Sequence, residues 1–166
     1  MAPPTWVSGQ VLLASDVNSW FVPLVAYKGS DQSVTSSTTP VNDSALFVPL
    51  VANATYWFAA FIDYEGGTGG SSDLKWNYTV PAGANMRATA SYRNTSGTAV
   101  TWNLMNASQS IAGTNGAGNV LGASVFGTIA MSSTAGNVQM QWAQNTSSGT
   151  ATIVHTGSVI LCNRIT

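Results

Sequence analysis

The stretch LKWNYTVPAGA, residues 74–84, decides the fold class. Its even-numbered positions from 74 to 80 are apolar, and the odd-numbered positions between them are polar. Such an alternation is the pattern of a half-buried β-strand. The residues Pro81-Ala82-Gly83-Ala84 then predict a tight turn, because proline presets φ and glycine permits a positive φ. The stretch therefore predicts antiparallel strand pairing with one face in water.

Similar signals recur from Val25 onward, as short segments rich in Val, Thr, Ile and aromatic residues between clusters of Gly, Asn and Ser. Two similar stretches, 93–99 and 144–151, predict two hairpins of similar build. We expect an all-β protein, an antiparallel β-sandwich of jelly-roll type, occupying residues 26–166. The predicted strands are 25–28, 32–37, 45–50, 54–64, 74–80, 85–93, 98–105, 119–131, 137–144, 150–155 and 158–164.

The strand at 54–64 does not alternate. Tyr56 and Phe58 are apolar, and so are Trp57, Ala59 and Phe61 on the opposite side. Both faces of this strand should therefore be covered, one by the core and the other by the N-terminal segment or a neighbouring subunit. Trp57, Ala59 and Phe61 are the candidate oligomer interface.

Residues 1–25 differ in character and predict an N-terminal anchor segment. Ser15-Asp16 has the character of a helix cap, and Pro23 should end a helix of one to two turns. A helix this short is not stable alone, so it must dock either on its own domain or on a partner. The candidate particle-anchoring residues are Trp6, Val11, Leu12, Val17, Trp20 and Phe21.

Only 7% of the 166 residues are charged, against roughly a quarter in an ordinary domain. This scarcity argues against chemistry that needs several acids, bases or metal ligands. The net charge of -1 gives no reason to expect a nucleic-acid partner. There is also no signal peptide and no apolar run long enough for a membrane span, so we expect a soluble protein made in a bacterial cytoplasm, without a membrane partner.

The candidate catalytic groups are few. Asp63 and Glu65 share a face of one strand at about 7 Å, a separation that suits an inverting glycosidase, but a solvated carboxylate is the ordinary expectation beside Gly66. His155 and Cys162 lack a third, orienting residue, and the lone Cys162 is typical of a buried small hydrophobe. We therefore predict no catalytic residue, no metal site and no cofactor.

Aromatic side chains that lie next to amides and hydroxyls are the groups that form sugar-binding sites. Most of the aromatic residues here lie at core-like positions in the predicted strands. A carbohydrate-binding adsorption module that recognises host-surface glycans is therefore the alternative function.

The stretch WVSGQVLLASDVN, residues 6–18, resembles the N-terminal "Gly-Gln/Glu-x-Leu-Thr-Ala-x-x-Leu/Met-Asn" signature of many tailed-bacteriophage virion proteins, with Leu13 where Thr is usual. Residues 46–57, 64–67 and 74–76 resemble a β module that recurs in phages of actinobacteria, and residues 94–98 and 142–146 fit the same module.

The resemblance implies a non-enzymatic virion structural protein with no catalytic residues. Proteins of this kind include capsid decorations, head fibres and minor tail proteins. We therefore expect the protein in the virion, docked by its N-terminal segment on other phage structural proteins of the capsid or tail, and present as a homotrimer.

Overall fold

A computed structural model of the protein describes residues 5–67, 72–105 and 109–166. Within these ranges the chain forms a short helix, α1 (Ala14–Trp20), followed only by strands. The strands are β1 (Leu24–Tyr27), β2 (Gln32–Val34), β3 (Val41–Leu50), β4 (Thr55–Glu65), β5 (Leu74–Thr79), β6 (Asn85–Arg93), β7 (Ala99–Met105), β8 (Ser110–Ala112), β9 (Leu121–Ala130), β10 (Gly136–Gln144), β11 (Thr152–Val154) and β12 (Val159–Arg164).

The strands form two antiparallel sheets. The large sheet has the order β1-β12-β4-β9-β6-β7, and β11 pairs with both β4 and β2 beside this path. The small sheet has the order β3-β10-β5-β8. The predicted fold class, an antiparallel β-sandwich, is confirmed.

The strands pair in order from the two ends of the chain inward, the first with the last and the second with the second-last. β1 pairs with β12, β2 with β11, β3 with β10, β4 with β9, β5 with β8, and β6 with β7. The chain is thus one long antiparallel ribbon whose two arms wrap together around a core, which is the jelly-roll arrangement. The β6–β7 hairpin is the tip of the ribbon and extends the large sheet beyond β9.

Aromatic side chains fill the space between the sheets. Trp76 on β5 lies opposite Trp142 on the neighbouring β10, and both are buried. The ring of Trp76 also makes edge-to-face contacts with Tyr78 and, across the core, with Tyr92 of β6 at a centroid distance of 5.9 Å. On β5 the buried and half-buried residues alternate as the sequence predicts.

Each predicted strand segment overlaps a strand of the structure. The sequence pattern misses β8, because three residues are too few to show an alternation. Ser110–Ala112 forms a strand by pairing with the first half of β5.

The connections correct two predictions about strand pairing. Residues 81–84 form the expected turn, in which the Ala84 N–H donates to the Pro81 carbonyl at 3.0 Å and Gly83 has a φ of +77°. However, this turn leads from the small sheet to the large sheet, so β5 and β6 do not pair. Of the two similar stretches, 93–99 closes the β6–β7 hairpin, whereas 144–151 leads from β10 to β11 in the other sheet. The second predicted hairpin is wrong, since turn residues specify a reversal but not the partner strand.

The helix begins earlier than its predicted cap. Its N-cap residue is Leu13, which has an extended backbone and no side-chain cap, so the predicted cap at Ser15-Asp16 is wrong. The helix ends at Trp20, ahead of Pro23. No helix in the described ranges is long and apolar enough to cross a membrane.

Candidate functional site

The N-terminal segment, defined here as residues 5–22, is held in shape by a few contacts of its own. The Val17 N–H donates to the Leu13 carbonyl at 3.2 Å, and the Phe21 N–H donates to the Val17 carbonyl at 2.9 Å. The ring of Trp6 folds back onto the ring of Phe21, with a centroid distance of 5.5 Å and an angle of 32° between the planes. The two ends of the segment are therefore joined by an aromatic pair.

Most of the predicted anchor residues are exposed. Val11 is 76% exposed and Phe21 is 60% exposed, and Leu12 and Val17 are exposed as well. Trp6 is half-buried against Phe21. The side chain of Trp20 lies outside what the structure describes. The described anchor candidates thus form an apolar surface that the sandwich does not cover.

The N-terminal segment meets the sandwich at one end of the large sheet. There a small cavity of ≈ 120 Å³ is lined by both parts of the chain. The contact lies near Arg164 at the end of β12, which is beside Leu24 at the start of β1. The residues that line the cavity are Asn18, Val22, Leu24, Val51, Tyr56 and Arg164.

The candidate interface residues on β4 share the outer face of the large sheet. Trp57 and Phe61 are each 42% exposed, whereas Ala59 is buried between them. The N-terminal segment therefore leaves this face uncovered. Phe126 of β9 and Tyr27 of β1 extend the same face and are also exposed. Sequence reasoning missed them, although Phe126 lies at an outward position in a predicted strand.

Three of the titratable candidates, Asp63, Glu65 and His155, lie near the C-terminal end of β4. The Nδ1 atom of His155 lies 3.2 Å from Oδ2 of Asp31, and its Nε2 atom lies 3.6 Å from Oε2 of Glu65. The same Glu65 oxygen accepts the backbone N–H of Gly118 at 2.9 Å, and Oδ1 of Asp31 accepts the N–H of Thr156 at 2.7 Å. This cluster ties together the loops that follow β1, β8 and β11.

Two carboxyl groups of the cluster have shifted pKa values. The hydrogen bond from the Thr156 backbone lowers the pKa of Asp31, with help from His155. Burial raises the pKa of Asp63, and the nearby His155 opposes that effect. Asp63 and Glu65 lie two positions apart on β4, but Glu65 is engaged by a loop N–H. Within the described ranges no group of three or more His, Cys, Asp or Glu side chains is arranged to hold a metal ion.

Cys162 and His155 are not brought together as a nucleophile and base. Cys162 is fully buried between β1 and β4, where it lies opposite Leu24 and Phe58. Burial raises the pKa of its thiol to about 12. The imidazole of His155 instead contacts the two carboxylates, as described above. A neutral, enclosed thiol of this kind is a poor nucleophile.

No family model matches the chain, and no curated protein matches it. Among solved structures, the tripod (BppUct-A-L) from the baseplate of bacteriophage Tuc2009 is similar over 99% of this chain and 75% of that chain, with 11% identity and a TM-score of 0.39. A chain of infectious bursal disease virus, Gx strain, is similar over 96% of this chain and 44% of that chain, with 14% identity and a TM-score of 0.24. The VP2 subviral particle of infectious bursal disease virus has 11% identity over 87% of this chain and 37% of that chain, with a TM-score of 0.21.

Proposed function

We propose that the protein is a non-enzymatic structural component of a tailed-bacteriophage particle, held on the particle by its N-terminal segment. The observation that carries the proposal is the apolar surface of that segment, in which Val11, Leu12 and Phe21 are exposed. The resemblance of residues 6–18 to the virion signature concerns the same segment.

The energetics favour docking of this segment on a partner. Full burial of a large apolar side chain contributes about 1.5–3 kcal/mol, so several such side chains offset a substantial part of the entropy lost on association. Residues 5–22 carry a single charged residue, Asp16. Docking therefore removes few charges from water, and charge desolvation is the costly part of burying a surface.

The site on the particle that we propose is a capsid decoration, head-fibre or minor tail position, with the protein present as a homotrimer. The sandwich would project from the particle, while the N-terminal segment forms the attachment. The acidic cluster around His155 fits a structural role, because its hydrogen bonds join loops of the same chain.

Deletion of residues 1–22 tests the attachment. The truncated chain is mixed with particles that lack the protein, the particles are sedimented, and the bound protein is quantified. The full chain should sediment with the particles, and the truncated chain should stay in the supernatant. If the truncated chain binds as well as the full chain, the attachment proposal is wrong.

A point variant with a matched control sharpens this test. Val11→Asp places a charge in the exposed segment, whereas Val120→Asp places one on an exposed valine of the loop before β9. The Val11 variant should lose most of its particle binding, and the Val120 variant should keep it. Equal losses would mean that the added charge acts generally.

A second candidate function is recognition of a host-surface glycan. It is favoured by the pair Trp57 and Phe126, whose exposed rings lie 6.4 Å apart on the outer face of the large sheet. Aromatic faces of this kind stack on sugar rings, and Thr128 beside Trp57 supplies a hydroxyl. Trp57→Ala should then reduce binding to host cells, and unchanged binding would exclude a glycan site at this pair.

A further inference from the structure

We infer that the outer face of the large sheet is a contact surface between copies of this chain. The apolar face, as we name it, consists of outward side chains on four adjacent strands. Its exposed members are Val25 and Tyr27 on β1, Trp57 and Phe61 on β4, and Phe126 on β9. This inference rests on the proposed structural role. It adds a second contact surface, whose partner is another copy of the chain.

The strand register makes the apolar face continuous. Val25 lies opposite Leu161, Leu161 opposite Ala59, and Ala59 opposite Phe126. In the next outward row, Tyr27 lies opposite Val159, which lies opposite Phe61. Neighbouring strands are about 4.8 Å apart, so the first row is an unbroken band of apolar side chains about 15 Å long and the second is about 10 Å long.

The size of the apolar face suits an interface rather than a chance cluster. Its five exposed members retain between 42% and 62% of their exposure. With about 150–250 Å² for an aromatic side chain, they present roughly 400–500 Å² of apolar surface. That is half or more of the ~800 Å² that each partner buries in a standard interface, and the hydroxyl side chains beside it supply a polar rim.

The small sheet shows that this face is unusual for the chain. The outward positions of its inner strands carry Lys75, Asn77 and Thr79 on β5 and Gln139 and Gln141 on β10. The outer face of the small sheet thus carries mostly polar side chains, with Phe47 and Ile111 exposed among them, whereas the outer face of the large sheet presents four exposed aromatic rings.

The absence of charge favours a second copy as the occupant. None of the five exposed members of the apolar face, nor Val159, Leu161 or Ala59 between them, carries a charge. Identical surfaces that meet across a symmetry axis bring like residues together, so charges there would repel. Charged side chains lie at its margin: Asp63 follows Phe61 on the same side of β4, and Arg87 of β6 lies opposite Thr128 on β9. A two-fold contact would bury the face against itself, and a three-fold contact would bury it against the neighbouring copy.

The test is the molar mass of the full chain in solution, measured by sedimentation equilibrium over a series of concentrations. We expect the homotrimer proposed above, which dissociates on dilution; a dimer would support the contact surface and contradict the trimer. Phe61→Glu should weaken the association at least about tenfold, because it replaces a buried aromatic contact with a charge. Phe47→Glu is the matched control, since Phe47 is 41% exposed on the small sheet. It should leave the association unchanged.

Two further measurements distinguish loss of self-association from loss of folding and from loss of particle attachment. Phe126→Glu repeats the test on another strand, and circular dichroism confirms that each variant is folded. A chain without residues 1–22 should associate as the full chain does, so failure of particle attachment and failure of self-association are distinguishable. A full chain that is monomeric at every concentration would overturn the inference, and so would folded Phe61 and Phe126 variants that associate like the wild type.

Discussion

The Lys28 ammonium and the Asp43 carboxylate form an ion pair inside the sandwich. The Nζ atom lies 2.8 Å from Oδ2 and 3.0 Å from Oδ1, and neither side chain is more than 1% exposed. Asp43 also accepts the indole N–H of Trp142 at 3.1 Å and the backbone N–H groups of Ala45 and Leu46. The pair therefore joins the end of β1 in the large sheet to β3 in the small sheet.

Asp43→Ala should lower the free energy of unfolding by about 3–5 kcal/mol, because it leaves a buried ammonium without its counter-charge. Urea denaturation followed by tryptophan fluorescence measures the change. Asp31→Ala is the control, since Asp31 is half exposed and water can replace its contacts. If both variants lost the same stability, the buried pair would have no special role.

Gly127 permits an unusually close approach of β9 to β6. A Cβ atom at this position would lie 2.2 Å from the Arg87 carbonyl oxygen and 2.5 Å from the Ala88 Cα. Gly127→Ala should therefore cost about 1–3 kcal/mol of unfolding free energy, as the backbones are forced apart. Gly149→Ala should change stability by less than about 0.5 kcal/mol, because no atom lies within 4 Å of its added methyl group. Thermal unfolding of both variants checks the contrast, and equal melting temperatures would contradict it.

The thiol of Cys162 should be unreactive in the native protein. Burial raises its pKa from an ordinary value of 9.0 to about 12, so at pH 9 the native thiol stays protonated while an unfolded one is half ionised. Alkylation by iodoacetamide, followed by mass spectrometry, should be slow without denaturant and fast in urea. A cysteine introduced by Gly149→Cys in a Cys162→Ala chain is the exposed control, and native Cys162 reacting at its rate would refute this prediction.

The same shift makes stability depend on alkaline pH. The contribution of the Cys162 thiol is fully present below pH 9 and is lost as the pH rises towards 12, because the unfolded chain then releases a proton that the native chain retains. Cys162→Ala should therefore flatten the fall of unfolding free energy between these pH values. A slope identical to that of the wild type would show that other groups govern it.

Removal of residues 1–22 should leave the sandwich folded. The N-terminal segment contacts the sandwich around one small cavity, and its own apolar side chains are mostly exposed. We expect a loss of less than about 1 kcal/mol in unfolding free energy, measured by urea denaturation of both chains. A truncated chain that does not fold would assign the segment to the core.

The sequence predicts the strands well because their alternation is local. Residues 85–93 form a strand with the predicted bounds, and the alternation at 74–80 correctly identifies the buried face of β5. Strand pairing is not local, since β3 meets β10 about ninety residues later. No feature of residues 81–84 indicates that the turn leads to the opposite sheet.

The candidate site is likewise predictable from sequence only where the pattern is local and does not depend on strand pairing. The apolar character of 54–64 predicts Trp57 and Phe61 as surface contacts, and the structure places both on the outer face of the large sheet. The contribution of Tyr27 depends on the pairing of β1 with β12, which the sequence does not reveal. The burial of Lys28 was equally hidden, because an isolated lysine after a short strand is ordinarily solvated.

The most direct test of the proposed function is an electron cryomicroscopy reconstruction of the intact phage particle, combined with mass spectrometry of purified particles. The proposal predicts that the protein is present in the particle, with density for the sandwich projecting outward and density for residues 5–22 lying against a neighbouring protein. Absence of the chain from purified particles, or density in which the N-terminal segment points into solvent, would contradict the proposal.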